Sequence, residues 1–165
     1  MWIEGRIFKA GKECGLVAEC EALAIITQGK DYNDAMAMLK DAVELMALHE
    51  KRVLFLEIRR GEGENVYIGS KDTKAFFGLL IRRQRQIAQV TIKQAAANMG
   101  SAFVNAYAAY EQGKREPTLH LVAQLLKAAN PNAEKPLAII FGDDFGGKRA
   151  RSKGRKVSAG RHALV

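Results

Sequence analysis

The pair Gly29 and Lys30 lies between an apolar run and a segment of helical periodicity, where phosphate-binding loops also occur. Such a loop has a glycine five residues before the Gly-Lys pair and Ser or Thr directly after it. Here Ala24 and Asp31 occupy those positions, so both requirements fail. Asp31 instead suits the N-cap of a helix, and Asp34 suits its first turn. The pattern therefore predicts a strand-to-helix corner and no nucleotide site.

Acidic residues raise the question of a metal-dependent nuclease, which needs three or more carboxylates converging on one face. Glu4, Glu19, Glu21 and Glu57 fall in predicted strands, and Glu19 and Glu21 share a face. Nothing in the pattern brings the others to them, so we favour solvated surface acids. The three histidines are scattered and the two cysteines form no CxxC pair. We therefore predict no metal, no cofactor and no enzyme activity, and keep an active nuclease as the third hypothesis.

A more specific pattern runs from Thr91 to Gln112. A helix with a Thr91–Gln94 capping box, a turn at Gly100 and a second helix follow each other in the order of a helix-turn-helix. Asn105 is the best candidate for reading a base, since an Asn amide pairs with adenine through two hydrogen bonds. The alternative is a plain helical bundle in which Gly100 is an ordinary C-cap. The predicted DNA-binding residues are Thr91, Lys93, Gln94, Ser101, Phe103, Val104, Asn105, Lys114 and Arg115.

The elements that must position these residues change character along the chain. Before residue 75 the predicted order is β-β-β-α-β(-β), with the helix from Tyr32 to about His49 and the next strand from residue 53, which indicates an α+β domain with a mostly antiparallel sheet. After it we predict five short helices. The fourth is capped by Thr118 and has an apolar face that begins at Leu119, and the last is a short turn or helix in "KPLAIIF". The predicted division is residues 1–74, residues 75–142, and a basic tail, 143–165, whose composition predicts disorder.

Charge divides in the same way. Residues 1–74 hold 11 Lys/Arg and 13 Asp/Glu, net −2, whereas residues 75–135 hold 8 and 3, net +5. A basic second part is a candidate for binding nucleic acid. No apolar run reaches the roughly 18 residues of a membrane span, and the N-terminus lacks the features of a signal peptide. Few cysteines favour a reducing compartment, so we expect a cytoplasmic protein.

Both parts resemble one family. Residues 15–45 resemble the N-terminal domain of HicB antitoxins, through Gly15, the Ala-Glu-Cys stretch ending at Cys20, the Thr-Gln-Gly stretch ending at Gly29, Asp31 and Ala35. Residues 106–119, "AYAAYEQGKREPTL", resemble the Cro/repressor-type (Xre-type) helix-turn-helix that many HicB proteins carry. The resemblance covers roughly residues 1–142, and the basic tail is not part of the usual pattern.

The resemblance implies a first domain with a partial ribonuclease H-like fold and no nuclease activity. It implies that this domain binds a HicA-like toxin, a small basic ribonuclease, and covers its active site. It also implies that the second domain represses its own operon by binding double-stranded operator DNA as a homodimer or larger homo-oligomer. The acidic first part suits a basic partner. The alternative hypothesis is a stand-alone helix-turn-helix regulator whose first domain senses a ligand.

Overall fold

The computed structural model describes residues 1–11, 15–100, 104–134 and 137–142. The chain is α+β, as predicted, and every strand pair among these residues is antiparallel. The strands are β1 (Trp2–Lys9), β2 (Leu16–Cys20), β3 (Ile25–Gly29), β4 (Leu56–Arg60), β5 (Asn65–Ser70) and β6 (Ile139–Ile140). The helices are α1 (Tyr32–His49), α2 (Thr73–Ile87), α3 (Ile92–Asn98), α4 (Val104–Glu111) and α5 (Leu119–Ala129). We call β1–β5 with α1 the sheet half, and α2–α5 the helical half.

The strand order in the sheet is β3-β2-β1-β5-β4, which leaves β3 and β4 at its two edges. The order β-β-β-α-β-β along the sheet half agrees with the prediction. Helix α1 buries a stripe of small and branched side chains against one face of the sheet. The stripe repeats every three or four residues, as one face of a helix requires, and consists of Ala35, Leu39, Val43 and Ala47.

The corner between β3 and α1 is built as the sequence predicted. Asp31 is the N-cap, and its Oδ1 accepts a hydrogen bond of 2.9 Å from the backbone N–H of Asp34. The Asp34 carboxylate in turn accepts one of 2.9 Å from the backbone N–H of Lys30. Gly29 is required here because α1 passes very close to β3. A Cβ at this position would lie 2.3 Å from the backbone nitrogen of Ala35.

Helix α2 connects the two halves. Its middle turns are fully buried from Phe76 to Ile81 and contribute to a core that is continuous with that of the sheet. Polar side chains of α2 bond back to the short 3-10 turn Glu21–Leu23 that precedes β3. Arg83 Nε donates to the Leu23 carbonyl at 2.7 Å, and Gln84 Nε2 donates to the Ala22 carbonyl at 2.6 Å.

The segment predicted as a last turn or helix is a strand instead, and that prediction was wrong. Ile139 and Ile140 form β6, which pairs antiparallel with the beginning of β1. The Trp2 indole Nε1 also donates a hydrogen bond of 3.0 Å to the Gly142 carbonyl. A two-residue apolar run whose partner strand lies about 137 positions earlier carries no local signal of its conformation.

Three smaller expectations also need correction. Leu119 was expected on the buried face of α5 but is 71% exposed, since that face is centred on Val122, Leu125 and Ala128. Glu21 was expected in a strand but begins the 3-10 turn. The predicted strand from residue 53 begins only at Leu56. The division into three parts stays a prediction, and the predicted tail, 143–165, lies outside the described residues.

Candidate functional site

Helix α3 begins with the capping box that the sequence predicted. The Thr91 hydroxyl accepts a hydrogen bond of 3.2 Å from the backbone N–H of Gln94, and Gln94 Oε1 accepts one of 2.8 Å from the backbone N–H of Thr91. These reciprocal bonds satisfy two N–H groups that the first turn of a helix otherwise leaves unpaired. Thr91, Gln94 and the neighbouring Lys93 are all solvent-exposed. Gln94 is thus exposed although its Oε1 takes part in the cap.

Helix α4 has one exposed side and one buried side. Val104 and Asn105 in its first turn are exposed, whereas Tyr107 is only 1% exposed and Tyr110 is half-buried. Both tyrosines pack against the core, Tyr107 fully and Tyr110 in part. The predicted contact residues Ser101 and Phe103 lie outside the described residues. Lys114 and Arg115, directly after α4, are exposed.

The two helices bury few apolar side chains of their own. Within the described parts of α3 and α4, the buried hydrophobic residues are Ala95, Ala96 and Tyr107. Their placement depends on polar contacts as well. The Asn98 amide donates a hydrogen bond of 3.1 Å to the Ala128 carbonyl in α5.

A buried arginine–glutamate pair is the strongest of these polar contacts. Arg85 in α2 meets Glu111 in α4 through two parallel bonds, Nε to Oε1 at 2.5 Å and Nη2 to Oε2 at 3.1 Å. Arg85 also donates to the Val90 carbonyl at 2.8 Å, just before α3 begins. Hydrogen bonding to Glu111 raises the pKa of Arg85, and burial followed by the Glu111 charge raises the pKa of Tyr107. One side chain thus positions both α3 and α4.

Sequence reasoning missed this pair, although a signal was present. Residues 75–135 contain only three acidic residues, and Glu111 stands four positions after Tyr107, on the side of α4 that packs inward. An acid on the buried side of a helix in a basic segment needs an internal partner, because an unpaired buried charge is very unfavourable.

A second ion-pair group links the end of α1 to the helical half. Glu50, whose side chain is 6% exposed, lies 3.1 Å from Arg82 and 3.5 Å from Arg52. Burial raises the pKa of Glu50 and lowers that of Arg52. Arg52 donates to the backbone carbonyl of Ala75 at 3.2 Å and to that of Glu111. The loop after α1 therefore contacts α2 and α4 directly.

The glutamates considered for a nuclease do not form a metal site. Glu19 pairs with Arg6, and Glu57 lies 3.2 Å from Arg59 and 3.9 Å from Lys71. Within residues 1–11, 15–100, 104–134 and 137–142, no three His, Cys, Asp or Glu side chains are grouped to hold a metal ion. Cys20 is buried, as expected for a packing residue.

The face of the sheet opposite α1 remains partly open to solvent. Strand alternation places Arg6 and Phe8 there, and the Arg6 guanidinium lies 5.6 Å from the centre of the Phe8 ring. On the edge strand β3 the same alternation places Ile26, 75% exposed, and Gln28 on this face. The open face thus combines apolar and charged groups.

A cleft of about 450 Å³ lies where this face meets the helical half. Its walls carry several carboxylates, and its lining includes Glu4, Arg6, Glu21, Gln84, Asn130 and Glu134. Gln84 and Asn130 are already bonded to each other at 3.0 Å. The polar groups of the cleft are mainly acidic, which suits a cationic or hydroxylated small molecule better than an anion.

Comparison with known proteins gives no match, whether to a protein-family model, to a curated protein or to a solved structure. The resemblance to HicB antitoxins and to Xre-type helix-turn-helix proteins therefore stays a prediction from the quoted motifs. Among the described helices, none combines the length and the apolar character that crossing a membrane requires.

Proposed function

We propose that this chain is an antitoxin and autorepressor without catalytic activity. In this proposal α3 and α4 form a helix-turn-helix that binds operator DNA as a homodimer or larger homo-oligomer. The sheet half has a partial ribonuclease H-like fold and neutralises a HicA-like mRNA-cleaving toxin in the cytoplasm. The observation that carries the DNA-binding part is the separation of side chains on α3 and α4: Ala95, Ala96 and Tyr107 are buried, whereas Lys93, Gln94 and Asn105 are exposed to solvent.

The exposed groups suit the two tasks of a DNA-binding protein. Lys114 and Arg115 are exposed in the turn that follows α4 and can contact phosphates, which contribute affinity without reading sequence. Asn105 lies in the first turn of α4, where a recognition helix contacts base edges. Gln94, exposed at the beginning of α3, supplies a further side-chain amide. The net charge of +5 on residues 75–135 supports the same assignment.

Binding to the DNA upstream of the chain's own gene tests this part. We expect Lys114→Ala and Arg115→Ala to weaken binding to all sequences alike and to reduce the slope of log K against log salt by about 0.9 for each phosphate that the protein no longer neutralises. Asn105→Ala should instead lower discrimination against a mutated operator by about 1–3 kcal/mol. Lys40→Ala, an equal loss of charge on α1, is the control. Absence of binding to this DNA at low salt would overturn the assignment.

The toxin-binding part rests on the motif resemblance, on the net charge of −2 over residues 1–74, and on the half-open sheet. Complementary charge favours association with a basic protein. Ile26 and Gln28, exposed on the edge strand β3, lie within the stretch that carries the resemblance.

Co-expression with the small protein encoded beside this chain tests this part. We expect the two proteins to co-purify and the chain to relieve growth inhibition by its neighbour. Ile26→Arg should weaken the complex, whereas Met38→Arg, on the exposed side of α1, should not. If the chain neither binds nor neutralises the neighbouring product, the antitoxin assignment is wrong.

The cleft of about 450 Å³ favours one second candidate function, a ligand-responsive regulator with no toxin partner. It lies between strands β1–β2 and the end of α5, so a bound molecule would contact both halves. A small molecule that changes operator affinity, and loses this effect in Glu134→Gln, would support the regulator. An operator affinity that responds only to the neighbouring protein would support the antitoxin.

A further inference from the structure

The outer edge of β4 has backbone groups directed away from the sheet. Gly61, just after β4, donates a hydrogen bond of 2.8 Å to the Asn65 carbonyl, which fixes the alternation of the β4–β5 ladder. In an antiparallel pair every second residue bonds to the neighbouring strand. The other three residues, Leu56, Ile58 and Arg60, therefore direct their N–H and C=O groups toward the edge. Within the described residues no further strand pairs with this edge.

The side chains of β4 carry a charge order that fits a second copy of the same strand. Glu57 and Arg59 point to the face opposite α1, with side chains 43% and 35% exposed, respectively. If two β4 strands pair antiparallel about a twofold axis at Ile58, Glu57 of each copy lies opposite Arg59 of the other. Opposite charges directly across an antiparallel pair stabilise it, and like charges destabilise it.

The same charges disfavour the two neighbouring registers that the outward N–H and C=O groups of β4 also allow. An axis at Glu57 places the two copies of Glu57 opposite each other, and an axis at Arg59 does the same for the arginines. The edge strand at the other side of the sheet, β3, has the sequence IITQG and no charge to set a register. Of the two edge strands β3 and β4, it is therefore β4 that combines outward backbone groups with self-complementary charge.

Apolar groups beside β4 fit the same register. Phe55 and Val53, directly before the strand, are 84% and 73% exposed. With the axis at Ile58, Phe55 lies opposite Gly61 of the second copy. There the Tyr67 ring lies so close that a Cβ on Gly61 would be 2.9 Å from Tyr67 Cε2. An aromatic ring across from an edge glycine covers exposed backbone, and a second ring beside it adds a favourable aromatic contact.

We propose that the edge of β4 is a homodimer interface, in which two copies join their sheets through antiparallel β4 strands centred on Ile58. The interface uses main-chain hydrogen bonds for attraction and the Glu57–Arg59 order for register, as in other cases of strand addition. The proposed dimer does not require DNA or toxin binding. Strand β4 lies at the opposite edge of the sheet from β3, the strand that carries part of the family resemblance.

Charge reversal at the two positions tests the register. In sedimentation equilibrium on the full chain, wild type should dimerise, and Glu57→Arg and Arg59→Glu should each weaken the dimer by at least about tenfold, because each places like charges opposite at two symmetric sites. The double variant Glu57→Arg/Arg59→Glu should return to within about threefold of wild type. Glu44→Arg makes the same change of charge on helix α1, away from β4, and should leave the dimer unchanged.

Mixing the two single variants separates the interface from any effect on folding. One strand then carries two arginines and the other two glutamates, so a heterodimer should form although neither variant self-associates well. The contact between positions 57 and 59 within each chain stays repulsive in the mixture, so folding alone cannot restore association. Phe55→Ser, at a fully solvent-facing site, should also weaken the dimer. The proposal would be overturned if the wild-type protein stayed monomeric, or if the two single variants failed to form a heterodimer when mixed.

Discussion

An arginine–glutamate ion pair occurs in each half of the chain, and the two pairs differ in how much water reaches them. The side chains of Arg85 and Glu111 in the helical half are 13% and 4% exposed, and two bonds join them. Those of Arg6 and Glu19 in the sheet half are 49% and 15% exposed. Both pairs join neighbouring elements, yet only the first is enclosed by the fold.

The difference indicates that each half is stabilised internally by a different kind of interaction. Helices α3 and α4 bury few apolar groups and depend on polar contacts at fixed positions, namely the Arg85–Glu111 pair, the Asn98 amide and the Thr91 cap. The sheet half depends on close backbone approach and apolar packing between its strands and α1. Polar substitutions should therefore affect the helical half most, and steric ones the sheet half.

The largest effect is expected for Glu111→Ala. It removes one partner of a buried pair and leaves Arg85 charged and uncompensated, which typically costs about 3–5 kcal/mol in the free energy of unfolding. Denaturant unfolding followed by circular dichroism measures it, and DNA binding should fall as α4 loses its position. A destabilisation below about 1 kcal/mol, the range of surface pairs, would show that water reaches this pair freely.

Next comes Gly29→Ala, the steric counterpart in the sheet half. The added methyl group would lie 2.3 Å from the nitrogen and 2.6 Å from the Cα of Ala35, and backbone atoms cannot rotate away. Overpacking of this kind typically costs about 1–3 kcal/mol. Thermal unfolding compares it with Gln28→Ala, an exposed neighbour on the same strand, which should be near neutral. Equal melting temperatures would contradict the close approach of α1 to β3.

A smaller effect is expected for Thr91→Ala, which removes the side-chain half of the capping box. Loss of an N-cap hydroxyl costs about 1 kcal/mol, and Thr91→Ser should retain most of it. Hydrogen exchange of the backbone amide of Gln94 reports on the cap directly, because this N–H donates to the Thr91 hydroxyl. If Ser and Ala replacements exchange at the same rate, the cap does not stabilise α3.

The smallest effect is expected for Glu19→Ala. Ion pairs with an exposed partner contribute little to the free energy of unfolding and are weakened by salt. We expect a small destabilisation at low salt that largely disappears at high salt, in contrast to Glu111→Ala. A salt-independent effect as large as that for Glu111 would remove the distinction between the two halves.

Local features of the fold were predictable from the sequence. Helix α1 was predicted with its observed ends, because its apolar period continues over 18 residues and begins directly after an N-cap aspartate. The capping boundary of α3 was equally clear. In the sheet half, the turn residues and the hydrophobic periodicity that mark each element lie within short stretches of sequence. The order of its elements was therefore also predicted.

Features that depend on distant residues were not predictable. Strand β6 needs β1 as its partner, and the buried position of Glu111 needs Arg85. The predicted apolar face of α5 was wrong at Leu119, which is exposed although it is apolar, because the buried face begins only at Val122. The predicted contact residues themselves are placed only in part, since Ser101 and Phe103 lie outside the described residues, and DNA contact stays a prediction for all nine.

The pairing of β6 with β1 has a consequence for the newly synthesised chain. The ribosome adds Trp2 140 residues before it adds Gly142, the residue whose carbonyl accepts the hydrogen bond of the indole. Until β6 and Gly142 have been synthesised, they cannot cover the indole ring, which is 4% exposed in the folded chain. Contacts so distant in sequence form slowly, and exposed apolar surface in the meantime favours aggregation. The first strand is therefore completed only after the whole helical half has been translated.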